Sequence, residues 1–429
     1  MNTRYEHSLE LLERALRVIP LASQTFSKSL VNYPKGAAPL FIERGEGAYV
    51  WDVDGNKYLD CVNSLCALTL GYKRPEVDAA VSAQMHNGVS FTLPHRLETE
   101  VAELLCELIP CAESVRFGKN GTDATSAAVR IARAVTGREH IAVCGYHGWQ
   151  DWYIGSTARH LGVPDAVRAL THKFDYNNLD SLKALFEQAD QPLAAVILEP
   201  MNVAYPAPGF LEGVRALCDQ YGALMVLDET ITGFRFHLGG AQSLFGVTPD
   251  LATFGKGIAN GYPLSAIVGK AKYMHAMEDI FFSGTFGGET LSLAAAKAVL
   301  SLLKEQHLID DINEKGRYLL NGLNGLLDEL QLRDYFDTAG HPTWSFLTVK
   351  TTDQTLYWQI KTYLVQELAS HGILSIGSHN ISSAMSYADL DHLLSTYRLV
   401  LPRCKELAQT QQLAAALYGA TLQPLFKVR

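Results

Sequence analysis

The chain has 429 residues, 48% of them hydrophobic, with a formal net charge of −9. That length and composition allow a large core split between one big domain and a smaller companion. The acidic balance argues against nucleic acid or an anionic membrane as partner, since either needs a clustered basic surface, and no run approaches the roughly 18 to 20 apolar residues of a membrane span.

In chain order, Tyr5–Val18 alternates charged and apolar residues at helical spacing and lacks the apolar run of a signal peptide. Gly47–Asp60 reads as two short strands around the Asp54-Gly55 turn. From about Ala102, short apolar runs alternate with helical stretches: helix Ala124–Ala134, strands Ile141–Cys144 and Ala194–Leu198, helix Leu211–Tyr221, then strands Ala223–Leu227 and Leu251–Phe254. This alternation predicts an α/β fold with a mostly parallel sheet covered by helices on both faces. After Ala294 longer helices take over, Leu293–Gln306 and Ile312–Leu332, followed by a strand at Thr343–Lys350. The expected division is an N-terminal segment, 1–50, packing with a small α+β domain at 296–429, and a large domain at 51–295. Seven scattered cysteines without CxxC spacing indicate neither a disulfide framework nor a zinc site and suit a reducing cytoplasm.

Ligands of parallel sheets bind beyond the carboxyl ends of the strands. Three strands here end in ionisable residues: Glu199, Asp228 and Lys256. Asp228 follows an apolar run, so its carboxylate needs a positive partner, which a protonated ring nitrogen would supply; a helix cap or an ion pair with Arg235 would also account for it. Lys256 lies in FGKGIANGYP, where small neighbours leave room beside an amine suited to Schiff-base chemistry, although a lone lysine is ordinarily a solvated one. Asn120-Gly121-Thr122-Asp123 opens a helix whose free N–H groups suit a phosphate dianion, or simply cap it. Tyr146, past the strand Ile141–Cys144, can present its face to a flat ring or fill the core. Together, phosphate cradle, stacking ring, carboxylate and amine match the requirements of pyridoxal 5′-phosphate (PLP).

On these residues, and on the stretch LDETITGFRFHLGGAQSLFGVTPDLATFGKGIANGYPLSAIVG, the chain resembles the class III aminotransferases of PLP fold type I, in the branch of glutamate-1-semialdehyde 2,1-aminomutase. The resemblance implies a Schiff base on Lys256, which also moves the substrate proton, and Asp228 on the pyridinium nitrogen. It further implies Gly121 and Thr122 on the phosphate, Tyr146 on the ring face, Glu199 near the cofactor, and Thr285 reaching the phosphate of a neighbouring subunit in a homodimer. Two positions depart from the aminomutase pattern: Lys28 stands where an arginine holds the substrate carboxylate, and Leu65 where a tryptophan follows the serine. Gly372–Ser386 is shorter and lacks a glutamate. The cofactor site is then intact and the substrate site rebuilt, with Lys28 as a substrate contact or a solvated cation. GGETLSLAAA and the ending QPLFKVR are also similar to amino-sugar and surface-polysaccharide enzymes.

The expected function is therefore transamination from an amino acid donor, glutamate, to an aldehyde or ketone, such as a sugar precursor. An aminomutase acting within one molecule is the enzymatic alternative, with racemisation and decarboxylation as minor ones. A non-catalytic PLP-fold binding protein would not need Lys256, and a nicotinamide dehydrogenase lacks its GxGxxG here.

Overall fold

The computed structural model describes residues 3–188 and 190–423, and Pro424–Arg429 of the terminal QPLFKVR lie outside them. The chain divides into two compact units, one running Pro75–Ile309 and the other built from residues up to Arg74 together with those from Asp310 onward. Both boundaries lie later than the expected 50/51 and 295/296. Strand pairing accounts for the first: the amide of Leu59 donates to Gly372 O at 2.8 Å and that of Cys61 to Leu374 O at 2.9 Å, tying Gly47–Asp60 to the C-terminal residues. Helix packing accounts for the second, because Thr290–Glu305 lies against the helices Pro75–Met85 and Arg96–Leu108 of the larger unit.

The larger unit holds seven strands: β1 (Ser114–Gly118), β2 (His140–Cys144), β3 (Thr171–Lys173), β4 (Leu193–Leu198), β5 (Leu224–Asp228), β6 (Leu251–Phe254) and β7 (Ser265–Gly269). Their order across the sheet is β1-β7-β6-β5-β4-β2-β3. Pairing is parallel from β3 through β6, and β7 runs antiparallel to β6 and to β1. Both faces are covered, and the period of two shows it. Val143, Ile197 and Val226 join one core with Ala124, Ala128 and Ile131 of helix α1 (Gly121–Thr136). Their neighbours Ala142, Val196 and Met225 join another with Phe210, Val214 and Cys218 of the helix Phe210–Tyr221. No helix among the described residues is long and apolar enough to cross a membrane.

The smaller unit has two sheets. Ile42–Glu46, Tyr49–Asp52 and Lys57–Asp60 form an antiparallel meander extended by Ile373–Leu374, which pairs parallel with Lys57–Asp60. Phe336–His341, Trp344–Val349 and Ser378–Asn380 make an antiparallel trio. Directly after Lys57–Asp60 the chain makes a left-handed turn: Asn63, Ser64, Leu65 and Cys66 have φ of 46°, 50°, 61° and 70°. For non-glycine residues that conformation costs about 1–2 kcal/mol each. The turn is pinned by its surroundings. The Asp60 carboxylate accepts from the amides of Val62 at 2.8 Å and Asn63 at 3.0 Å, the Asn63 side chain donates to Asn380 O, and Asn380 Nδ2 donates to Val62 O.

Candidate active site

β4, β5 and β6 are adjacent and parallel, so Glu199, Asp228 and Lys256 emerge at one end of the sheet on neighbouring strands about 4.8 Å apart. Asp228 is the last residue of β5 and almost fully buried. Its Oδ1 accepts from Thr230 Oγ1 at 2.6 Å, Thr230 N at 3.1 Å and Thr253 Oγ1 at 2.9 Å, and its Oδ2 lies 2.9 Å from His147 Nδ1. Burial pushes the carboxyl up, but the hydrogen bond and charge of His147 and the two threonine hydroxyls outweigh it and hold it below the ordinary aspartate value. Asp228 is thus an ionised, preorganised acceptor, and a carboxylate oxygen with one donor has a lone pair to spare.

His147 is fixed from several sides. Its ring lies parallel to Trp152 with centroids 6.4 Å apart and edge-on to Tyr153 at 5.3 Å, and Nε2 is 3.2 Å from Cys144 O. Sequence reasoning passed over this residue in favour of its neighbour Tyr146. The available signal was a histidine just past a strand end, flanked by glycines that let the loop fold back.

That loop, Gly145–Gly148, lies against two other predicted residues. Glu199 Oε2 accepts from Tyr146 N at 2.9 Å and from Asn202 Nδ2 at 3.1 Å, and a Cβ at Gly145 would come within 2.6 Å of the same oxygen. A Cβ at Gly148 would meet Thr122 Oγ1 at 2.3 Å. Tyr146 is 36% exposed, and its ring stands edge-on to Tyr153 at 5.7 Å.

Gly121 and Thr122 open α1, where Asn120 caps the Asp123 amide, which donates to Asn120 O at 2.9 Å, and the Gly121 and Thr122 amides lie ahead of the first intrahelical acceptor. Thr122 Oγ1 is buried and has no hydrogen-bond partner among the described residues. A Cβ at Gly121 would sit 3.0 Å from Thr230 Cγ2, and one at Gly255 would sit 3.2 Å from the same atom. The loop after β5 therefore joins the helix start to the residue before Lys256, and these backbones approach one another because two of the three contributors are glycines. Lys256 is half-buried with φ of 42°, the left-handed region that a lysine adopts only when its surroundings impose it. The residues fit PLP: an orphaned hydroxyl at a helix N-terminus for the phosphate, an ionised buried carboxylate for the ring nitrogen, a partly exposed tyrosine, and a lysine just past a strand end.

A family model for class III aminotransferases matches residues 31–385. The chain belongs to that family. Its relatives include the 3-aminobutyryl-CoA aminotransferase of Cloacimonas acidaminovorans, 36% identical over 90% of this chain and 93% of the relative. They also include the glutamate-1-semialdehyde 2,1-aminomutase of Heliobacterium modesticaldum, 39% identical over 80% and 81% respectively. Among solved structures, the PLP internal aldimine form of the FumI protein of Sphingopyxis sp. MTA144 superposes with a TM-score of 0.87 at 29% identity, covering 96% of this chain and 99% of that one. This class III aminotransferase is a PLP enzyme of fold type I, as the PLP-bound neighbours and the largely parallel sheet agree.

Two predicted residues of this aminotransferase stand apart from the cluster just described. Thr285 is exposed, in a segment that lines a hollow of about 380 Å³ with Gly118, Lys119 and Asp123. Lys28 belongs to the smaller unit, on the turn Phe26–Lys28, exposed beside a chamber of about 340 Å³ within that unit.

Proposed function

We propose that this enzyme transfers the amino group of an amino acid, glutamate, to an aldehyde or ketone. The observation that carries the reading is the convergence of Asp228, Gly255 and Gly121 on Thr230, at the helix start that carries Thr122 and next to a lysine with imposed backbone geometry. Bound there, PLP supplies an electron sink for the electron pair left on the amino-bearing carbon. Lys256 would hold the cofactor covalently and, once displaced, carry the proton to and from that carbon. Asp228 would keep a proton on the ring nitrogen, with His147, Thr230 and Thr253 fixing the orientation of its carboxylate. Gly121 and Thr122 would take the phosphate, Tyr146 the ring face, and Glu199 would set the loop that carries Tyr146. Thr285, open to solvent, would complete the phosphate site of a second copy, making the active unit a homodimer.

The likeness to the Heliobacterium aminomutase favours a second reading, amino transfer between adjacent carbons of one molecule. Lysine at position 28 supports the first, because it cannot grip a carboxylate with the paired N–H groups of a guanidinium. The PLP-loaded enzyme mixed with glutamate should release one equivalent of 2-oxoglutarate per site and then lose its amino group to a carbonyl acceptor. Conversion of glutamate-1-semialdehyde to 5-aminolevulinate with no donor consumed would overturn the proposal in favour of the mutase.

A further inference from the structure

Two histidines meet at the end of the large sheet opposite to Glu199, Asp228 and Lys256. His140 opens β2, and His172 is the middle residue of the neighbouring parallel strand β3. His140 Nδ1 lies 2.9 Å from His172 Nε2, with the ring centroids 5.1 Å apart and the planes inclined by 30°. The strand register sets His172 beside Ala142, so the contact is diagonal. It is made where the pairing of β2 with β4 shifts register between His140 and Ile141, and irregularities of that kind re-aim side chains. Both rings are half-buried, and neither makes a further hydrogen bond among the described residues. Burial, and then the charge of His140, hold His172 below the ordinary imidazole value, which keeps it a neutral nitrogen donor at pH 7.

From this we infer that His140 and His172 form a two-point site for a divalent transition metal of the copper(II) type, which takes the place of the proton between them. In the neutral pair that proton moves to an outer ring nitrogen, so each imidazole keeps one N–H and the metal gains two neutral donors. Metal–nitrogen bonds of about 2.0–2.1 Å closing on nitrogens 2.9 Å apart meet at about 90°. That is the angle between neighbouring ligands of a square-planar or tetragonal ion, whereas tetrahedral zinc would hold its donors about 3.3 Å apart. No third His, Cys, Asp or Glu joins the pair among the described residues, so water fills the remaining positions. The strand β3 can adjust to the ion, being three residues long and at the edge of the sheet. Bound there, the metal would tie that edge strand to β2, whose far end at Cys144 is about 13 Å away and leads to the Tyr146 loop.

The test uses the PLP-loaded enzyme, washed free of metal with a chelator and titrated with copper(II). Free imidazole is added as competitor, because it displaces copper from single surface histidines more readily than from a chelating pair. One equivalent per chain should resist it. Copper below one equivalent, without imidazole, should give an electron paramagnetic resonance spectrum with two nitrogens in the plane of the ion. His140→Gln and His172→Gln should each weaken that equivalent about a hundredfold, the advantage of two linked donors over one, and keep the cofactor absorbance. Should either variant fail to fold, the wild-type enzyme answers by itself: copper should protect His140 and His172 from carbethoxylation, mapped by mass spectrometry, and leave exposed His86 reactive. Copper wholly displaced by imidazole, a spectrum with a single nitrogen, an affinity unchanged in both variants, or equal modification of the two histidines with and without copper would overturn the site and leave a hydrogen-bonded pair.

Discussion

Asp228→Asn separates the electrostatic role of this side chain from its structural one. The amide oxygen can keep the donors Thr230 and Thr253, now at 2.6 and 2.9 Å, while the amide nitrogen takes the place of Oδ2. It then donates to His147 Nδ1, and the other ring nitrogen keeps its proton for Cys144 O at 3.2 Å. The network reverses one hydrogen bond without opening a cavity. The stability cost is the difference between a charged and a neutral hydrogen bond, about 1 kcal/mol. An amide N–H cannot hold a proton on a ring nitrogen, so the catalytic loss should match that of a missing preorganised electrostatic group, about 3 kcal/mol, or a hundredfold or more in rate. Because the Asp228 carboxyl lies below its ordinary value in the folded protein, the stability it adds is present above about pH 4 and is lost as the pH falls through the lower folded value. Stopped-flow turnover of glutamate, paired with urea unfolding at pH 7 and pH 3, measures both terms. A variant within threefold of the wild-type rate, or one whose stability gap widens in acid, would refute the reasoning.

Lys256→Ala should abolish borohydride labelling and replace the aldimine band with that of the free aldehyde while PLP still binds; label on a different lysine would reassign the site. Thr122→Val should weaken PLP roughly fivefold to tenfold, by about 1 kcal/mol for one hydrogen bond, and should not destabilise the apoenzyme, because Oγ1 has no protein partner to lose; equilibrium dialysis and thermal unfolding without cofactor check the pair. In the smaller unit, burial holds His379 down at about 4, between Ser345 Oγ and the Tyr397 hydroxyl. Its contribution to stability is full above about pH 6.5, the unfolded value, and is lost as the pH falls toward 4. Unfolding free energies should therefore drop across that window by up to about 3 kcal/mol. His379→Phe should flatten the slope.

The parallel sheet and the strand-end triad were legible because their signals are local. Leu251–Phe254 is a short apolar run followed at once by Gly255 and Lys256, and α1 announces itself with Asn120-Gly121-Thr122. Both antiparallel pairings of β7 escaped notice: SAIVG and its partner SVRFG are short and carry glycine, and only the fold sets them side by side. His147 escaped because its partner lies 81 residues away in sequence. The left-handed turn at Asn63–Cys66 gave no warning, since no glycine marks it and its restraint comes from Asn380. The unit boundaries moved for the same reason, pairings made across the chain and invisible from either side.

The parallel pairing of Lys57–Asp60 with Ile373–Leu374 also imposes an order on synthesis. When the first of these strands leaves the ribosome, its partner is roughly 300 residues from being made. At elongation rates of about 5–20 residues per second, the open edge waits on the order of 15 to 60 seconds. The intervening residues 75–309 can meanwhile close their own sheet, whose strands are all encoded between those limits. The edge carries Tyr58 and Leu59, both fully buried at the end, next to the apolar Val50. An unpaired strand of that character recruits other strands, so nascent chains stalled before residue 373 would be the aggregating species, and a holding chaperone would act on the first 74 residues more than on the domain completed after them.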